Sequence, residues 1–206
     1  MLYPDDLQSE FFVVDTETTG YSPKYADVIE IAAIRCERRN GGFEILDEFD
    51  SFVNPHYPLP QDIVDFNRKN GTGICDELLS HAPDDYVVAR NFLDFIGEKP
   101  IVVGHNIVRF DKGFIDKLCG SINERFEVND FVDTLLLSRQ HGTRAKNEKH
   151  SLDVCLEKTA KRHTSGHNGF HTAIFDVKAT LDVLEYLDKE YYQRRNTLFK
   201  RFEYER

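Results

Sequence analysis

Strand-forming runs come first in this chain, and helix-forming runs come only later. Phe11–Asp15, Val28–Arg38 (VIEIAAIRCER) and Phe43–Val53 are rich in Val, Ile and Phe, with Gly41 and Gly42 between the last two. Such runs read as strands, and the glycine pair joins the second to the third as a hairpin. Asn54-Pro55 and Pro58-Leu59-Pro60 then break the pattern, and a loop-and-helix stretch runs through Asp76–Leu79. Beyond it, Pro100–Gly104 (PIVVG) predicts one further short buried strand. Helices are expected over Ala82–Ile96, Phe110–Cys119, Thr134–Arg139, Leu152–Ala160 and Thr172–Tyr191. Pro83, Asp84 and Asp85 suit a first turn, Gly120 a stop, and Ser151 an N-cap. The last helix carries Ala173, Val177, Leu181, Leu184 and Leu187 at helical spacing. A run of strands followed by alternation predicts an α/β fold, a mixed sheet with helices packed on it. No repeat, low-complexity tract or Pro/Gly/Ser linker divides the 206 residues. A single domain over 1–206 is therefore expected, with its core at about 11–187 and a basic, aromatic tail at about 189–206.

The first strand ends in acids. In FFVVDTETTG, Asp15 and Glu17 stand at i and i+2, so they project from one face of the strand. At a strand mouth both could be ordinary solvated residues. Close to a core, however, like charges repel and desolvation is costly, and such a pair calls for a cation. Two more acids can join them. Asp111 ends VVGHNIVRFD, just after the Pro100–Gly104 strand, and Asp176 ends HTAIFD, five residues after His171. Alone, either acid is explained by the favourable field at a helix N-terminus. Four carboxylates converging on one volume need divalent cations, and Mg²⁺ or Mn²⁺ prefers oxygen ligands. Two such ions ~3.5–4 Å apart serve in-line attack on a phosphodiester. A nearby histidine can take the proton of the attacking water. The chemistry that fits is phosphodiester hydrolysis.

Composition bears on partners and compartment. The formal net charge of −10 argues against a nucleic-acid ligand, but its distribution softens that. Arg139, Arg144, Lys146, Lys149, Lys158, Lys161 and Arg162 cluster between Arg139 and His167, against Glu148, Asp153 and Glu157. A local basic face or an ordinary solvated surface accounts for this equally well. Cys36, Cys75, Cys119 and Cys155 have no CxxC spacing and read as reduced core residues. No segment approaches the ~20 apolar residues of a membrane span. The first residues lack the basic start of a secretory signal, so a cytoplasmic protein with no membrane partner is expected.

Taken in order, DTETTG, HN…FD, DTLLLSRQ and HTAIFD resemble the motifs of the DnaQ-like 3′→5′ exonucleases, the DEDDh branch of the ribonuclease H-like fold. The resemblance spans Phe11 to Leu187, and FVNPHYPLP and TGICDELL are similar to two further segments of that family. It implies a mixed five-stranded sheet flanked by helices, and a residue-by-residue site. Asp15, Glu17 and Asp176 would hold one divalent ion. Asp15 would also bridge to a second ion, with Asp111 acting there through water, and His171 would be the general base. Thr18 and Tyr21 fall where the family contacts substrate, and an aromatic at Tyr21 could stack on a terminal base or simply pack in its turn. One departure stands out. The commoner HNxxFD pattern is here His105-Asn106-Ile107-Val108-Arg109-Phe110-Asp111, one residue longer, which leaves the roles of His105, Asn106 and Arg109 open. The resemblance implies release of nucleoside 5′-monophosphates from the 3′ end of single-stranded DNA, with a DNA polymerase as a candidate partner. RNA trimming by the same site and a non-catalytic nucleic-acid-binding module are the alternatives. A haloacid-dehalogenase-type phosphatase would leave His171 and Asp176 unexplained.

Overall fold

In a computed structural model of the chain, the residues described are 7, 10–39, 41–141, 149–164 and 171–203, with 141 and 191–203 as backbone alone. Five strands make one mixed sheet: β1 (Phe11–Thr18), β2 (Val28–Arg39), β3 (Gly42–Phe52), β4 (Ile101–Gly104) and β5 (Asp130–Asp133). Their order is β3-β2-β1-β4-β5. β1 runs antiparallel to β2, and β2 to β3, whereas β1 and β5 both run parallel to β4. β1 is thus the strand where the sheet changes from antiparallel to parallel pairing, and in open α/β sheets ligands gather at the carboxyl ends of strands at such points.

The helices are α1 (Gln61–Asn70), α2 (Asp76–Ser80), α3 (Asp85–Ile96), α4 (Asp111–Gly120), α5 (Thr134–His141), α6 (Leu152–Leu156) and α7 (Ala173–Glu203). The alternation of β1 sorts its residues between two cores. Phe11 and Val13 pack with Ala32, Ile34 and Phe43 against Val177, Leu181 and Leu184 of α7. Phe12 and Val14 face the other way, into a core with Val88 and Phe92 of α3 and Phe114 and Ile115 of α4. The α7 layer is also tied by charge. Arg38 grips both oxygens of Asp188 at 2.8 and 3.0 Å, and Glu185 accepts the Phe43 N–H at 2.8 Å. Among the described residues no helix is long and apolar enough to cross a membrane.

Most expected elements are present, with altered ends. β1 continues past Asp15 to Thr18, so Asp15 and Glu17 lie inside the strand. The predicted helix at Leu152–Ala160 closes after Leu156, and the last helix runs well beyond Tyr191. β5, DFVD, carries aspartates at both ends and only two apolar residues, too short a run to register as a strand. Cys36, Cys119 and Cys155 are buried, but Cys75 is exposed, because it sits in the loop that opens α2. Of the basic cluster between Arg139 and His167, residues 142–148 and 165–167 lie outside the described residues. Arg162 is engaged by Glu185 at 3.1 Å.

The extra residue before Asp111 has a structural home. The carbonyl of Asn106, itself at φ 73°, accepts from both Arg109 and Phe110, and Lys112 N–H reaches back five residues to Ile107. This wide turn, of the π type, absorbs one residue at the start of α4. It also depends on a glycine. A Cβ at Gly104 would stand 2.5 Å from Cβ of Ile107, which is fully buried, so only glycine lets the turn close over the end of β4.

Candidate active site

Four acids and one histidine meet at the carboxyl end of β1. Asp15 and Glu17 point together toward the α7 face, as their spacing requires. Asp176 rises from the first turn of α7, and His171 lies just before that helix at φ 67°. Ligating atoms of Glu17, His171 and Asp176 all lie within 4.8 Å of one another. Asp111 arrives from α4, where its Oδ1 accepts from both Thr16 N at 3.1 Å and Thr16 Oγ1 at 2.8 Å. The Asp111 carboxyl is therefore anchored to the middle of β1, between the two acids of that strand.

Burial and mutual repulsion dominate the electrostatics. Asp15 is held well above the ordinary carboxylate range, first by burial and then by Asp111, Asp176, Glu17 and Glu30. Burial, then Asp176, Glu30 and Asp111, push Glu17 up to about 8. Asp111 rises to about 7 by burial, although its bonds from Thr16 pull the other way. Asp176 also rises to about 7 by burial, against a bond from the His171 backbone N–H. Oδ1 of Asp176 is buried without a hydrogen-bond partner. Crowded carboxylates held out of their usual range, one with an orphaned oxygen, are a donor set suited to a hard divalent cation.

The same shifts make the metal-free protein pH-sensitive. These acids bind protons more tightly folded than unfolded, so between about pH 4 and 8 the folded state holds the extra protons and stability falls as pH rises. Thermal unfolding in EDTA should therefore show a lower Tm at pH 8.5 than at pH 6, by several degrees. Mg²⁺ should raise Tm more at the higher pH. An EDTA profile flat across this range would mean that the carboxylates are not crowded in solution.

His171 is placed by its neighbours. Its ring meets Phe66 of α1 edge-on at 4.9 Å between centroids, and burial lowers its pKa while Asp153 opposes that shift. The imidazole is thus neutral near pH 7 and able to accept a proton. Beside Glu17 lies a cavity of about 270 Å³ lined by Thr18, Tyr21, Phe66, Asn67 and Phe110, among others. Tyr21 is 90% exposed at its rim, so it is not packed into the turn. Thr18 turns its hydroxyl onto the Gly20 carbonyl at 2.7 Å and shapes the turn that carries Tyr21.

Of the three residues left open, His105 is structural. Its Nε2–H donates to the His150 carbonyl at 2.8 Å and its Nδ1 lies 2.9 Å from Thr134 Oγ1, joining two loops. Asn106 donates its backbone N–H to Asp133, and Arg109 is exposed. Two residues near the site were not foreseen. Phe66 sits in α1, a short helix of mostly polar residues. Glu30 looked like one residue of an apolar strand, yet it pairs directly with Glu17 across the β1–β2 ladder. A second group, His163, Asp182 and Glu185, also comes together. There, Asp182 accepts from the His163 and Thr164 backbone and the Thr164 hydroxyl, and Glu185 from Phe43 and Arg162. That cluster is a clamp between α7 and its neighbours.

Comparison with known proteins gives a consistent family. Residues 12–184 match the profile of the family described as Exonuclease (RNase_T). The PolC-type DNA polymerase III of Bacillus subtilis (strain 168) is 38% identical over 180 residues, 86% of this chain and 11% of that protein. The PolC-type enzyme of Halalkalibacterium halodurans is 36% identical over 188 residues, 91% of this chain and 12% of its own length. The chain thus spans about a tenth of these relatives. Among solved structures, E. coli exonuclease I in complex with a dT13 oligonucleotide superposes with a TM-score of 0.70 at 18% identity, over 93% of this chain and 44% of that one. Exonuclease X in complex with 5′ overhanging duplex DNA gives 0.60 at 19% identity, over 86% of this chain and 90% of that one. At such identities the likeness is one of fold, the ribonuclease H-like mixed sheet expected from the motifs.

Proposed function

Since the chain belongs to the DnaQ-like exonuclease family, we propose that it removes nucleotides one at a time from the 3′ end of single-stranded DNA and releases nucleoside 5′-monophosphates. The observation that carries this reading is the meeting of Glu17, His171 and Asp176 within 4.8 Å, beside an aromatic-lined cavity. Asp15, Glu17, Asp111 and Asp176 would hold two divalent ions, Mg²⁺ or Mn²⁺. When bound, such ions make water acidic enough to attack at neutral pH and offset charge on the phosphoryl oxygens. The residues of the chain do the rest. Neutral His171, at the rim of the carboxylates, takes the proton of the attacking water, and Phe66 limits the swing of its ring. Tyr21 and Phe66 offer faces on which the terminal base can stack, which is tolerant of base identity. The carboxylates in this site exclude a phosphodiester until cations are present, so substrate and ion binding are coupled.

The polymerase relatives suggest a proofreading role, in which the domain corrects ends made by a polymerase. The test is a side-by-side digestion of end-labelled single-stranded DNA and RNA of one sequence in Mg²⁺. A ladder of DNA shortened from the 3′ end, with mononucleotide product and protection by a 3′ block, is expected. Cutting of circular single strands would make the protein an endonuclease, and faster loss of RNA would move the substrate to RNA.

A further inference from the structure

We propose that Glu30 is a positioning residue of this exonuclease, holding the start of α7, and with it Asp176 and His171, in register with Glu17. The proposal rests on the exonuclease reading above. From Val28 to Ile34, β2 is buried throughout, and Glu30 is the one ionisable residue among Val, Ile and Ala. Its exposure is 1%. A strand built for stability alone would carry another apolar residue there, since a buried carboxyl must find partners or remain costly.

The partners Glu30 has are informative. It accepts the backbone N–H of Ala173, the first residue of α7, one of the donors that a helix leaves unmatched at its N-terminus. It lies against the carboxyl of Asp50 on β3, and its Oε2 has no hydrogen-bond partner. On the other side it faces Glu17, its direct partner in the ladder. The pairing register shifts immediately beyond, between Glu17 and Thr18. A bulge there re-aims the end of β1. Glu30 therefore touches the origin of the helix bearing Asp176 while standing opposite Glu17. Outer groups that orient metal ligands are worth about 10–100-fold in affinity or activity when removed.

The experiment compares wild type with Glu30→Val and Glu30→Gln, by single-stranded DNA digestion and by Mn²⁺ titration followed by electron paramagnetic resonance. Glu30→Val suits the buried strand and should fold, with a Tm in EDTA no lower than that of wild type. Its kcat should fall about 10–100-fold with KM for the oligonucleotide little changed, and Mn²⁺ affinity should weaken by a similar factor. Glu30→Gln keeps an acceptor for the Ala173 N–H and should recover most of both losses. Wild-type kcat and Mn²⁺ affinity in Glu30→Val would overturn the proposal. So would a Glu30→Gln variant as impaired as Glu30→Val with one fewer Mn²⁺ bound, because Glu30 would then be a ligand. If wild type digests no oligonucleotide, the exonuclease reading fails, while the Mn²⁺ titration still tests the placement of α7.

Discussion

Asp15→Ala is expected to leave no measurable nuclease activity, a loss as complete as that caused by EDTA. Asp15 stands in the interior of β1, paired with Ala32, and feels every other acid of the site. No neighbour can replace it, because the side chains on either side in β1 point to the opposite face. The variant should nonetheless fold. Removing one member of a buried, mutually repelling set lowers the repulsion, so Tm in EDTA should equal or exceed that of wild type at pH 8. What should disappear is the rise in Tm on adding Mg²⁺. Activity within about tenfold of wild type, or roughly 1.4 kcal/mol in barrier, would show that the reaction does not run through these carboxylates.

His171→Ala is expected to lower turnover by about 10²–10⁴-fold, the usual worth of a general base. Ion binding should survive, since the four acids are untouched, and KM for the oligonucleotide should change little. The pH profile makes the test specific. At saturating Mg²⁺ the acidic limb of kcat should report the imidazole, and burial places it below the ordinary histidine value. In the variant that limb should flatten. An intact limb with near-normal turnover would assign the proton to another acceptor.

Much of this architecture could be read from the residues, and the gaps have physical causes. The hairpin joining β2 to β3 (with Gly42 already in β3, opposite Arg39), the short strand before His105 and the long last helix followed from period and turn chemistry, which are local signals. The spacing of Asp15 and Glu17 placed them on one face correctly even though β1 runs three residues farther than expected. β5 escaped because a four-residue edge strand with an aspartate at each end is defined by its pairing with β4 and not by its own pattern. Phe66 and Glu30 escaped for a related reason. Each acquires its meaning from a contact far along the chain, Phe66 with His171 and Glu30 with Ala173. Nothing in the helix or strand that bears it announces that contact.

The wide turn ahead of α4 has a bearing on how such a protein can change. Asp111 reaches its post because Thr16 grips it from the adjacent strand by two bonds, and a count of residues from β4 plays no part. Chain length and ligand geometry are thereby uncoupled at this joint. A residue gained between Gly104 and Asp111 coils into the backbone, and the acid stays where its clasp on β1 keeps it. Mutation can then re-dress the exposed Val108 and Arg109 without moving the carboxyl that Thr16 holds. At such a joint the shape of the loop and the position of the acid can vary independently.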